Sequence, residues 1–206
     1  MNTLYKDLKA FFRKYLHANE EEIGLLVQWA VATHQYGKYP AFPILHIQGD
    51  FATGKNRRLE LISMICYKPD VSTNPSASAL FRTIDAYKGT VLIDEADFVL
   101  GSNDVKSCLL AGFKKGGCFR RSVQRNNHAK GFEPVKFDVY CPKVLVTRNG
   151  IKDDALLSRS ITITTLPKPS DSNVPDILPL EAYNEGKLLK NRLIKALNNQ
   201  TQRRIP

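Results

Sequence analysis

The residues able to do chemistry fall into two clusters of this 206-residue chain. The first is Gly49-Asp50-Phe51-Ala52-Thr53-Gly54-Lys55-Asn56, which meets the phosphate-loop pattern G-x-x-x-x-G-K-[ST] at every demanding position except the last. Such a loop works because glycines let the backbone curl until its N–H groups converge on phosphate oxygens. The following helix N-terminus adds about half a positive charge, and Lys55 adds a full one beside the β/γ-phosphates. The flanks suit this reading, with an apolar run at 42–47 before the loop and a helix-forming run at 57–62 after it. Asn56 stands where a Ser or Thr hydroxyl ordinarily ligates magnesium. An amide oxygen can also ligate a hard cation, so the substitution weakens the case for hydrolysis without removing it.

The second cluster is Val91-Leu92-Ile93-Asp94-Glu95-Ala96-Asp97, an apolar strand ending in adjacent carboxylates. In a phosphate-loop enzyme Asp94 is placed to hold Mg2+ beside a triphosphate, and Glu95 to polarise a water for attack on the γ-phosphate. Asn56 and Asp94 are therefore the expected metal-site residues, with ATP and Mg2+ as cofactors.

Composition narrows the partners. The net charge of +10 favours a polyanion. Between 114 and 143 the sequence carries Lys114, Lys115, Arg120, Arg121, Arg125, Lys130, Lys136 and Lys143 against only Glu133 and Asp138. A solvated surface and a nucleic-acid face both fit that run. No window approaches the ~20 apolar residues of a membrane span, and the N-terminus lacks a secretory layout, so the expectation is a cytoplasmic protein with no membrane partner. Cys66, Cys108, Cys118 and Cys141 are scattered without a C-x-x-C pair and read as reduced apolar residues, with no zinc site.

The elements that must position these residues follow from periodicity. Residues 3–38 read as two helices, the first carrying Leu4, Leu8, Phe11, Phe12 and Tyr15, the second opening on Asn19 and three glutamates. Short β-rich runs at 43–48, 63–67, 90–94, 143–147 and 160–164 alternate with helical segments, notably 59–64 and 76–87. This alternation predicts an α/β fold with a parallel sheet covered on both faces. Residues 118–125 and 134–140 read as two strands of a hairpin, and 180–198 as a basic helix. His46 reads as a satisfied interior or edge strand residue, Trp29 and Cys141 as packing, and Arg57 and Arg58 as solvated helix positions, with a reach to phosphate as the alternative; Arg120 and Arg121 flank the hairpin base, where DNA contact and intersubunit pairing are equally open.

These motifs together resemble the AAA+ ATPases over residues 40–166. The 91–97 string is similar to their Walker B element, and the five runs to their five-stranded core. Lys143-Val144-Leu145-Val146-Thr147-Arg148-Asn149 resembles the sensor 1 strand, which makes Asn149 the residue that positions the lytic water. Ala155-Leu156-Leu157-Ser158-Arg159-Ser160 resembles the Ser-Arg motif, which makes Arg159 an arginine finger reaching the next subunit. Closer still is a resemblance to helicase-like ATPases of plasmids, phages and integrated elements, through the string 78–85 and Gly112-Phe113-Lys114-Lys115-Gly116. The hairpin is similar to the pre-sensor hairpin of superfamily 3 and minichromosome maintenance helicases, whose tips track one DNA strand. Here the matching tip offers Arg125, His128 and Lys130, and a purely structural hairpin is the alternative.

The resemblance implies an N-terminal helical segment at 1–39, an ATPase core at 40–167 with the hairpin insert 118–140, and a linker with a truncated helical lid at 168–206. It also implies an ATP-driven motor on single-stranded or forked DNA, assembled as a ring, a hexamer by expectation, with other replication proteins as partners. A nucleotide-gated DNA-binding or assembly module with slow or no hydrolysis is the alternative, favoured by Asn56. A protein remodeller is a third reading, and no aromatic threading loop is evident around 70–74 to support it.

Overall fold

The computed structural model describes residues 2–124 and 132–202. Helix α1 (Asn2–Tyr15) buries Leu4, Leu8, Phe11, Phe12 and Tyr15, the stripe its sequence spacing predicts. Helix α2 (Glu20–Ala32) is capped by Asn19, whose side chain accepts a hydrogen bond from the Glu22 N–H at 2.8 Å. Its first-turn glutamates lie at the positive end of the helix dipole. A 3-10 turn, Thr33–Lys38, leads into the sheet.

The sheet has five parallel strands: β1 (Ile44–Gln48), β2 (Pro69–Thr73), β3 (Thr90–Asp94), β6 (Lys143–Thr147) and β7 (Ser160–Thr164). Their spatial order is β2-β3-β6-β1-β7. The strands alternate in side-chain direction and so feed two cores. Leu45 and Ile47 of β1, Leu92 of β3, and Val144 and Val146 of β6 pack with α1, α2, α3 (Lys55–Ile65) and α7 (Leu180–Gln202). Ile44, Val91, Ile93 and Leu145 face the other way, toward α4 (Ala77–Tyr87), α5 (Asn103–Ala111) and the hairpin. Burial on both faces explains why the central strands read as nearly unbroken apolar runs. A short helix, α6 (Asp154–Leu157), precedes β7.

The run at 63–67 is not a strand. Helix α3 continues to Ile65, burying Leu61, Ile62 and Ile65, and the strand is the more polar Pro69–Thr73. That strand is at the sheet's edge, where a proline and exposed polar side chains cost little. Pairing decides it, with Val71 opposite Leu92 in β3.

The antiparallel hairpin is β4 (Cys118–Gln124) with β5 (Phe132–Asp138). Its inner face stands on α4, the Phe81 ring lying 5.1 Å from Phe119 and 4.5 Å from Phe137 between centroids. Arg121 forms an exposed ion pair with Asp104 of α5. Arg120 is exposed on the outer face, directly opposite Lys136. Lys143 leaves the basic surface altogether: it is 1% exposed, and its ammonium donates to the carbonyls of Gly112 (2.8 Å), Cys141 (2.9 Å) and Val139 (3.2 Å). The tip residues Arg125, His128 and Lys130 lie outside the described residues. Among the described residues no helix is long and apolar enough to cross a membrane.

Two interior expectations hold. Trp29 is core, with Nε1 donating to Pro43 O at 3.0 Å. His46 is fully buried under β7 and β6, with ring nitrogens 3.1 Å from Thr162 Oγ1 and 2.8 Å from Thr147 Oγ1. Burial pushes its imidazole down to about 4, against a weaker upward pull from the Asp97 carboxylate. Above pH ~6.5 the ring is neutral in both folded and unfolded chains. Between pH ~6.5 and about 4 the unfolded chain takes up a proton that the folded one refuses, so stability falls with pH, by up to about 3 kcal/mol. Urea midpoints of the parent and His46→Gln, measured from pH 7 to pH 4.5, should diverge, with the variant flatter. Parallel curves would remove His46 as the titrating group.

Candidate functional site

β1 ends at Gln48 and the chain enters the loop 49–54, which α3 continues from Lys55. The loop is braced from beneath by the end of β7. Thr165 donates to Thr53 Oγ1 at 2.6 Å, and Thr53 donates to Asp50 O at 2.8 Å. A Cβ on Gly49 would lie 2.1 Å from Thr165 Oγ1, so only glycine permits this approach. Gly54 turns into the helix with φ +77°, the left-handed conformation that glycine adopts freely. Lys55 Nζ donates to Asp50 O at 2.5 Å.

A cleft of about 940 Å³ opens above the loop. Phe51, Ala52, Thr53, Gly54, Lys55, Asn56, Asp94, Glu95 and Asn149 all line it, so the fold brings together most of the residues singled out in the sequence. The arrangement follows from strand order. β6 lies between β1 and β3, which places the loop and the Asp94–Glu95 pair about 10 Å apart, two strand spacings, with the end of β6 between them. Asn56 Nδ2 is 3.4 Å from Asp94 Oδ2 across that gap. With its amide turned over, Asn56 would present an oxygen to the same point. Among the described residues no group of three or more His, Cys, Asp or Glu side chains could hold a metal by itself. One carboxylate and one amide oxygen suit magnesium, which ordinarily draws its remaining ligands from phosphate and water.

Glu95 is exposed and has φ 51°, a left-handed conformation that costs a non-glycine residue about 1–2 kcal/mol. Strain of this kind concentrates where a side chain must be aimed. The turn after β3 is pinned by the Ala96 N–H on Val146 O at 2.7 Å. Asp97 is then held against the next strand end: its carboxylate accepts from the Arg148 N–H at 2.6 Å and the Asn149 N–H at 2.9 Å. Asp97 thereby positions Asn149, a role that nothing in the linear string reveals. Arg148 also lines the cleft.

Arg159 is not in this cleft. It precedes β7 at the sheet's opposite edge, about 16 Å away along the five-residue strand. There it donates to Ala155 O at 2.5 Å and lies 5.8 Å over the Phe113 ring.

The two arginines after the loop are structural anchors, contrary to the solvated-helix expectation. Arg58 is 3% exposed and fans into the N-terminal segment and the loop. It bonds Glu22 Oε1 (2.5 Å), Thr53 O (3.2 Å), Gly54 O (3.1 Å) and His17 O (3.3 Å). Arg57 donates to Tyr15 O (2.8 Å), Pro175 O (3.1 Å) and Asp176 O (2.9 Å), tying the segment after β7 across the cleft's far wall. Their sequence signal was only their place on α3, since their partners are distant in the chain.

No protein-family model and no curated protein matches the chain. Among solved structures it is similar to the apo A form of the NrS-1 C-terminal region, with a TM-score of 0.50 at 17% identity, over 92% of this chain and 44% of that one. A second structure of that region aligns with a TM-score of 0.43 at 16% identity, over 92% of this chain and 42% of that one. This chain spans less than half the length of these two structures, and the likeness is one of fold.

Because Arg58 is a buried cation with one buried-side carboxylate partner, Arg58→Ala should lower the unfolding free energy by about 3–5 kcal/mol. The paired replacement Glu22→Gln with Arg58→Met should lose less, since no unpaired charge remains. Urea denaturation of the three proteins checks this, and a loss below about 1 kcal/mol in Arg58→Ala would show that the fan does not anchor the loop.

Proposed function

We propose that the chain is an ATP-hydrolysing DNA motor domain of the AAA+ kind, of the sort found in mobile genetic elements. The observation that carries this reading is the juxtaposition of the loop 49–56 with Asp94 and Glu95 across one intervening strand, Asn56 and Asp94 being in contact. In this reading the loop N–H groups and Lys55 hold the phosphates, and Asp94 with Asn56 would hold magnesium. Magnesium, when bound, neutralises charge on the phosphate oxygens. Glu95 accepts a proton from the attacking water, and Asn149, fixed by Asp97, orients that water. Arg159 faces away from its own cleft, which supports its serving the cleft of a neighbouring copy in a head-to-tail ring. Arg125, His128 and Lys130, the basic residues between β4 and β5 in the sequence, would contact single-stranded or forked DNA.

Asn56 supports a second reading, a nucleotide-gated DNA-binding or assembly module with slow turnover. Its amide donates to Asp94, so the metal-holding carboxylate is engaged by a side chain that lacks the usual hydroxyl.

ATP binding and turnover, with and without single-stranded DNA, distinguish these readings. Lys55→Ala should weaken nucleotide affinity at least tenfold, roughly 1.4 kcal/mol. Glu95→Gln should bind as the parent does but turn over about 10²-fold or more slowly, and DNA should stimulate the parent. Binding without turnover would favour the assembly module. Equal nucleotide affinity in Lys55→Ala and the parent would overturn the cleft's assignment.

Arg159→Ala should bind ATP normally and hydrolyse it poorly, and mixing it with Lys55→Ala should restore part of the activity, because one mixed interface pairs an intact loop with an intact arginine. If assembled mixtures show no recovery, Arg159 does not act between copies.

A further inference from the structure

Two cations at the cleft converge on one residue of the phosphate loop. Lys55 donates to the backbone carbonyl of Asp50, and Arg148 approaches its side chain, with Nε 3.7 Å from Asp50 Oδ1. The Arg148 guanidinium also stacks over the Phe51 ring, 4.2 Å from its centroid. Both supports come from the loop itself and both are exposed: Asp50 by 85% at its side chain and Phe51 by 73%. An aromatic and a carboxylate set outward at a loop shaped for anions have no packing role to explain them.

Arg148 is poised for exchange. Its backbone is fixed, since its N–H donates to Asp97 Oδ2 at 2.6 Å, while its side chain is 52% exposed and held only by the exposed Asp50 and Phe51. The Asp50 ion pair is solvent-screened and contributes little. A planar guanidinium binds phosphate by two parallel charge-assisted hydrogen bonds, a stronger match than a lone exposed carboxylate offers. Phosphate arriving beside Asp50 would repel that carboxylate and attract the arginine. The Arg148 anchor is at the end of β6, between the loop and Glu95, so it lies on the side of the cleft that a terminal phosphate must occupy if Glu95 is to act on it.

We propose that Arg148 is a terminal-phosphate-binding residue supplied by the same copy as the loop, resting on Phe51 and Asp50 and transferring to the last phosphate of a nucleoside triphosphate. Phe51 and Asp50 are its resting place, and Asp97 is the pivot. The proposal rests on the reading of the cleft as a nucleotide site. It makes the cleft selective for triphosphate over diphosphate through a residue distinct from Lys55, Asn149 and Arg159.

The experiment is calorimetric binding of ADP and of a non-hydrolysable ATP analogue to the full chain. The proteins are the parent, Arg148→Ala, Arg148→Lys, Asp50→Asn and Lys55→Ala, with thermal melts to verify folding. Arg148→Ala should lose about tenfold in affinity for the triphosphate and less than about twofold for ADP, with partial recovery in Arg148→Lys. Asp50→Asn should bind the triphosphate more tightly than the parent, because a carboxylate that repels the incoming phosphate is removed. Equal losses for both nucleotides in Arg148→Ala would mean that the arginine only braces the loop, and no loss for either would mean that it touches no phosphate; each overturns the proposal. A parent that binds neither nucleotide, or a Lys55→Ala variant that binds both as well as the parent, would instead overturn the nucleotide reading and the proposal with it.

Discussion

The parallel pairing of β1 with β6 and of β6 with β3 is the constraint on which the rest of the structure depends. Parallel strands end on the same side of a sheet, so three chain segments far apart in sequence deliver their terminal residues to one edge. The loop 49–54 leaves β1, the acidic pair Asp94–Glu95 ends β3, and Arg148 and Asn149 end β6 between them. Register sets which residues emerge: Gln48 opposite Thr147 in β1 and β6, and Ile93 opposite Leu145 in β3 and β6. A slip of one residue would turn Leu45 and Ile47 away from the helical layer that buries them, so the two hydrophobic cores enforce the geometry of the cleft.

Buried and half-buried cations then hold the cleft's surroundings in place. Arg58 joins the loop, the turn before α2 and Glu22 in one network, and Arg57 joins α3 to the segment after β7. Lys143 anchors the start of β6 to α5 and to the chain leaving the hairpin through three carbonyls. Arg58 and Lys143 persist in the interior because their donors are satisfied; removing a partner would leave a desolvated charge, the costlier fault. The arrangement also links the loop mechanically to the N-terminal helices on one side and to the segment leading to α7 on the other.

The positive excess of the chain is distributed unequally between structure and surface. Lys143 and Arg58 are interior, Arg121 is paired with Asp104, and Lys88 bridges Asp85 and Asp138 at the hairpin base. What remains outward on the hairpin stalk is Arg120 opposite Lys136, a like-charge pair that a sheet tolerates poorly unless an anion or solvent separates it.

Sequence alone determined what is local. β1, β3 and β6 were legible because each is a short, mostly apolar run and β7 because isoleucine alternates with Ser and Thr; α1 and α2 were legible because their apolar residues recur at helical spacing, with a capping side chain at the start of α2, and α4 as a helix-forming segment between β-rich runs. The loop 49–56 and the Asp94–Glu95 pair were legible because each is contiguous. β2 was misplaced because the apolar run 63–67 outscored Pro69–Thr73, and only pairing with β3 selects the polar segment. Tertiary structure decided everything that joins distant positions: Arg58 to Glu22, Asp97 to Arg148 and Asn149, Arg148 to Phe51, and Arg159 to the far edge of the sheet. The physical reason is that propensity and periodicity act over a few residues, whereas these contacts require strand order and packing to fold the chain back on itself.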